Sequence, residues 1–146
     1  MKIPKYFSLR EFLYSKTAED NNIENLPSWG QLISLNKIAT EYLDPIRESW
    51  GSPLIISSGY RTEQLNVKLK GSKTSSHKEG KAVDIQPENP TKDNVYELWE
   101  FICAFLQKNK MLWDQCYIEN SAGKIWWVHL GIGDRLRCEV GSWTKK

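Results

Sequence analysis

Apolar residues recur at helical spacing in two long stretches of this chain and crowd into four short ones. Leu32, Leu35, Ile38, Ala39 and Leu43 lie three or four apart, which predicts one buried helical stripe. Ser28 and Gln31 have the spacing of a capping box at its start, and Ser8 with Glu11 predicts a shorter helix upstream. Pro45 lacks an amide donor and should kink or restart the long helix; Gly51 fits its stop. Residues 62–69 read as a short helix. Residues 91–107 read as a long one, with Val95, Leu98, Phe101, Ile102 and Phe105 facing inward. The runs 53–57, 82–85, 115–119 and 125–130 read as strands. The last two form a hairpin over 120–124, where Ala-Gly suits a turn. A five-residue loop pairs Glu119 with Ile125 and puts Glu119 on the face of Trp127 and His129. At about 3.3 Å per residue, that pairing leaves some 13 Å between the Glu119 and His129 backbones. Helices come first and strands later, so the predicted class is α+β, a small mainly antiparallel sheet with flanking helices.

The length, 146 residues, predicts a single domain over 1–146 with one real core and a short C-terminal tail. Twenty Lys+Arg against eighteen Asp+Glu leave a charge of +2, too small a surplus to predict a nucleic-acid binder. No run is long and apolar enough for stable membrane insertion. The start of the chain shows no apolar core of a secretion signal. Cys103, Cys116 and Cys138 are odd in number and form no Cys-x-x-Cys pair, which predicts reduced, mostly buried thiols. The 135–146 segment is basic, and a solvated tail is its expected state.

Histidine narrows the chemistry. Only His77 and His129 occur. His77 sits in a polar loop, 70–79, with Asp84 seven residues on in a short strand, and Gly71 and Gly80 give the loop freedom to fold back. Two imidazoles and a carboxylate are a ligand set for a catalytic metal that keeps an open position. From spacing alone the same three residues also fit a satisfied core histidine and a strand carboxylate, because His-x6-Asp is no standard motif.

Four segments together are more specific: Ser57-Ser-Gly-Tyr-Arg61, Ser75-x-His77-x-x-Gly80-x-Ala82-x-Asp84, Asp114-Gln-x-x-Ile-Glu119 and Trp127-Val-His129. With Phe7–Phe12 and Leu43-Asp-Pro-Ile-Arg47, they resemble the zinc D-Ala-D-Ala carboxypeptidase family of metallopeptidases, in its phage-endolysin branch, over about 7–130. The wider superfamily includes the hedgehog signalling domain. The resemblance implies one Zn2+ per chain, held by His77, Asp84 and His129. It implies that Arg61 contacts the substrate's carbonyl or carboxylate, although an arginine after a strand also fits a structural ion pair. Ser75 matches a substrate-binding serine or simply caps its loop. Glu119 matches the general base, with Asp114 as the one nearby competitor and Glu79 outside the family's pattern. Trp127 either walls the substrate pocket or packs in the core. The sequence departs from the family twice: many members carry the base glutamate where Trp126 stands, and relatives carry a second histidine where Trp127 stands.

The implied activity is hydrolysis of peptide stems of bacterial peptidoglycan, by a D,D-carboxypeptidase or an endopeptidase, in a monomer made in the cytoplasm and released to the wall like an endolysin. The alternative is a zinc-containing module that binds wall peptide or a protein partner without cutting. Arg61 and Glu119 favour the enzyme, since a structural zinc site needs neither.

Overall fold

The computed structural model describes residues 2–145. Ser8 accepts an amide and Glu11 returns the bond at the start of α1 (Leu9–Leu13), and Ser15 caps α2 (Lys16–Asp20). Ser28 and Gln31 do the same for α3 (Trp29–Lys37). The helical path continues through a π-helical turn, Ile38–Leu43, into α4 (Asp44–Trp50), which has Pro45 in its first turn. Proline offers no amide to the α-helical ladder, so the turn before it winds wider. Gly51, at φ 83°, ends α4 as expected. Leu35, Ile38, Ala39 and Leu43 are buried, while Leu32 lies only half inside. The buried Asp44 carboxylate accepts the backbone amides of Lys5 and Tyr6 and ties the N-terminal segment to this helix.

The remaining elements are β1 (Leu54–Ser58), α5 (Glu63–Lys68), a 3₁₀ turn Ser76–Glu79, β2 (Ala82–Pro87), α6 (Lys92–Lys108), β3 (Gln115–Ser121), β4 (Ile125–Gly131) and β5 (Glu139–Lys145). They form a five-stranded sheet in the order β1-β2-β4-β3-β5. Every neighbouring pair is antiparallel except β3 with β5. The fold is therefore α+β with a mainly antiparallel sheet, as the pattern predicts. One sheet face carries Val83, Ile85, Cys116, Ile118, Val128 and Leu130 into the core against α6. The other face carries Asp84, Tyr117, Glu119, Trp127 and His129, and stays open.

Four expectations need correcting. The inner face of α6 is Val95, Leu98, Ile102, Cys103 and Leu106. Phe101 and Phe105 lie at the edge of that stripe, where Phe101 packs edge-on to Trp50 at 5.1 Å. The hairpin loop has three residues, with Ser121 opposite Ile125 and Glu119 opposite Trp127. Ala122 and Gly123 both take positive φ, 52° and 72°, and Lys124 N–H closes the turn on the Ser121 carbonyl. Residues 139–145 are a strand paired along the whole of β3 and not a solvated tail; parallel pairing is carried by the backbone and needs no apolar alternation. Gly71 serves by its size: a Cβ there would sit 2.1 Å from Asn66 Oδ1, whereas Gly80, at φ 70°, supplies the left-handed turn. All three cysteines are free thiols, Cys103 and Cys116 buried and Cys138 half-buried.

Candidate metal centre

The register of the sheet builds the centre. Asp84 on β2 lies directly opposite His129 on β4, so one tier carries both side chains to the open face. His77 arrives from the 3₁₀ turn, whose start is capped by the Ser75 hydroxyl on His77 N–H, 3.2 Å. Gly80 ends that turn, and Arg61 N–H holds it by the His77 carbonyl. One ligand atom from each of His77, Asp84 and His129 lies within 4.8 Å of the others, and all three residues are buried. Asp84 Oδ1 is 3.0 Å from His129 Nδ1 and 3.3 Å from His77 Nε2.

The far side of each imidazole is also engaged. His77 Nδ1–H donates to the Gly59 carbonyl, 2.7 Å, which turns Nε2 toward Asp84. His129 Nε2–H donates to Gln115 Oε1, 3.2 Å, which turns Nδ1 there. Acceptors behind ligating imidazoles of this kind fix the tautomer and ring direction. Two nitrogens and one carboxylate oxygen, buried and oriented on one point, fit a metal that retains an open position.

Electrostatics follows from burial. Burial pushes the His77 pKa down, only partly offset by Asp84. Burial also opposes ionisation of Asp84, but His77 and His129 overcome it and hold the carboxyl well below the usual range. Burial opposes the charge on His129 as well, yet its bond to Asp84 and the nearby Glu119 raise its pKa.

The other expected residues line the same open pocket of about 460 Å³. Glu119 is carried there by β3, with Oε1 accepting Trp127 Nε1–H at 2.8 Å; burial first of all raises its pKa. The observed register sets Glu119 two residues along from His129 rather than four, about 7 Å of strand. Trp127 is half-buried on the open face and outside the core. Arg61 makes the ion pair that its position allowed, Nη2 to Asp84 Oδ2 at 3.4 Å, and also donates to Ser58 and Asn66. Two of its five protons remain for a ligand. Ser75 takes the capping role and also lines the pocket. Asp114 lies elsewhere, buried and gripped by Arg137, and Glu79 is exposed outside the pocket. Sequence reasoning gave no role to Gly59 and Gln115, which it quoted only within motifs, or to Tyr117, Trp143 and Lys145. The hairpin register would have flagged Gln115 and Tyr117, which share the parity of Glu119 on β3.

A buried two-histidine, one-carboxylate centre beside a carboxylate in an open pocket defines a metallopeptidase-type site. The family model described as Peptidase M15 matches residues 5–110, and the chain belongs to that peptidase family. The matched stretch holds Arg61, Ser75, His77 and Asp84, while Glu119, Trp127 and His129 lie beyond it. No curated relative matches the chain. Among the described residues no helix is long and apolar enough to cross a membrane.

Proposed function

We propose that this protein is a zinc-dependent peptidase that cuts the peptide stems of bacterial peptidoglycan, with Glu119 as its general base. The supporting observation is the convergence of His77, Asp84 and His129 with Glu119 in one open pocket. Zinc in the three-ligand position supplies Lewis acidity and brings the pKa of water to about 7. Glu119, its pKa raised by burial, would accept a proton from the attacking water and hand it to the leaving amine. Trp127 holds Oε1, which leaves Oε2 as the proton carrier. Arg61, anchored on Ser58, Asn66 and Asp84, turns its two spare protons to the substrate's carbonyl or carboxylate oxygen. Ser75 and Trp127 flank the substrate. The choice between a D,D-carboxypeptidase and an endopeptidase depends on how far the open pocket lets the stem extend. The motif resemblance supports an endolysin, made in the cytoplasm and acting on the wall after release.

The test is digestion of purified sacculi, with fragments identified by mass spectrometry. Chelator-sensitive release, lost in Glu119→Gln at unchanged zinc content, is the expected result and names the bond. Zinc bound at one per chain with no release from several wall chemistries overturns the enzyme in favour of a binding module. Lysis of permeabilised cells from outside, but not by unassisted cytoplasmic expression, is expected of the endolysin.

A further inference from the structure

We propose that β5 builds a subsite for a carboxylate on the peptide substrate, with Lys145 as its anion-binding group and Trp143 as its wall; this rests on reading the pocket as a peptide-cleaving site. The strand lies wholly outside the family match. Its parallel register sets Trp143 opposite Glu119 and Lys145 opposite Ser121, so both share the open face with the metal centre. Trp143 is half exposed, at 51%, and lines the pocket together with Lys145. Glu119 thus stands between Trp127 on one neighbouring strand and Trp143 on the other.

The charge around the pocket is unbalanced. Arg61, Lys70, Arg135 and Lys145 line it against Asp84 and Glu119. Asp84 is engaged by the histidines and Arg61, and Glu119 gives one of its two oxygens to Trp127. Among the described residues Lys70, Arg135 and Lys145 form no ion pair. The Lys145 ammonium gives one proton to the Leu69 carbonyl, which fixes its position and leaves two protons for a ligand. Burial lowers its pKa, and the Arg61 and Lys70 charges add to that; a docked anion offsets the repulsion among these charges. Strands lie about 4.8 Å apart, so Trp143 stands two strand spacings, about 10 Å, from Trp127. An extended peptide covers that distance in about three residues. The carboxylate that Lys145 takes is therefore one that branches from the bound peptide near Trp143.

Binding to the zinc-loaded Glu119→Gln protein, which by the proposed mechanism does not cut the probes, followed by calorimetry, tests this. One probe pair is the stem L-Ala-γ-D-Glu-L-Lys-D-Ala-D-Ala with its glutamyl carboxylate free or amidated. A second pair is a capped L-peptide, Ala-Glu-Ala-Ala against Ala-Gln-Ala-Ala. The free-acid stem is expected to bind about tenfold tighter than its amide, the scale of a charge-assisted bond. Lys145→Met should reduce that preference to about twofold or less, and Lys145→Arg should keep most of it. Equal binding of acid and amide forms, or a preference undiminished in Lys145→Met, overturns the subsite while leaving the stem reading intact. If neither stem binds but the acidic L-peptide is preferred through Lys145, the subsite stands and the wall reading falls. If no acid probe of either pair is preferred, the subsite is overturned.

Discussion

At the scale of single residues, the two imidazoles are held by different kinds of partner. His77 leans on a backbone carbonyl, Gly59, and His129 on a side chain, Gln115. Only the second can be removed by substitution. Gln115→Leu should lower zinc affinity by about 10–100-fold, the usual cost of losing such a partner, with little change in unfolding temperature; competition with a chromophoric chelator measures it. Gly59 is reached through its size. A Cβ there would stand 2.3 Å from the Phe12 carbonyl oxygen, while the next amide, Tyr60, donates to that same oxygen. Gly59→Ala must push two backbones apart and should cost at least about 1–3 kcal/mol, read by urea denaturation, and it should weaken zinc binding through His77. Proton competition gives a third expectation. A metal displaces the proton that Asp84 and Glu119 help to hold on His129, whose pKa lies above 6.5. Zinc affinity should therefore fall as pH drops through that raised pKa, from above 6.5 downward. A pH-independent affinity between 6 and 8, on the order of the range where imidazole titrates, would rule out His129 as a ligand. The trio that could hold a metal was expected from the sequence, because the four segments together resemble a known family where the spacing of His77 and Asp84 alone left the matter open. The role of Gln115 was not, since nothing ties a glutamine at a strand start to His129 until the register is known.

At the scale of elements, what the sequence hid was pairing rather than helix or strand identity. Capping boxes at Ser8 and Ser28 and the glycine stop at Gly51 act within a few residues, so they can be read locally. The β3–β4 register depends on two consecutive left-handed residues, Ala122 and Gly123, and alanine gives no sign of adopting that conformation. The parity of Glu119 survived because the loop shortened by two residues, which moves the strand along without flipping it. Strand β5 was missed because its partner is β3, reached through a loop whose geometry is set from afar. Leu136 and Cys138 there take positive φ, 43° and 54°, and Asp114 holds the loop by accepting Arg137 N–H, Nε–H and Nη2–H. Asp114 thus positions the strand that carries Trp143 and Lys145. The Arg137 bonds hold its carboxyl below the usual range. A depressed folded pKa adds stability that is full above the unfolded value, about 3.9, and is lost as pH falls through the folded value. Asp114→Asn should therefore melt below the wild type at neutral pH, and the gap should begin to shrink below about pH 4 and close as pH falls through the lower folded value. A gap that persists unchanged into acid would mean that the Asp114 charge does not anchor the loop.

At the scale of the whole molecule, the sheet separates stability from chemistry. Its inner face and α6 bury Ile85, Leu98, Ile102, Leu106, Ile118 and Leu130 at no more than 1% exposure. The π-helical segment adds Ile38 and Leu43. None of these lines the pocket of the metal centre, which lies on the opposite face among polar groups. The chain is long enough for such a core to fold without a metal, unlike small domains whose metal site replaces the core. Zinc should then act as a ligand of a folded protein. Chelation should leave the far-ultraviolet circular dichroism essentially unchanged and lower the melting temperature. Readded zinc should restore it by mass action, about 4 kcal/mol at a thousandfold excess over Kd. The loss on chelation should be local. His77 rides a 3₁₀ turn fixed mainly by Ser75, Gly59 and Gln31, so amides 75–80 should exchange faster without metal, while those of α6 should not. Hydrogen exchange on metal-free and zinc-loaded protein separates the two cases. Global loss of α6 protection on chelation would mean that the core depends on the centre, and the two faces of the sheet would then fold as one unit.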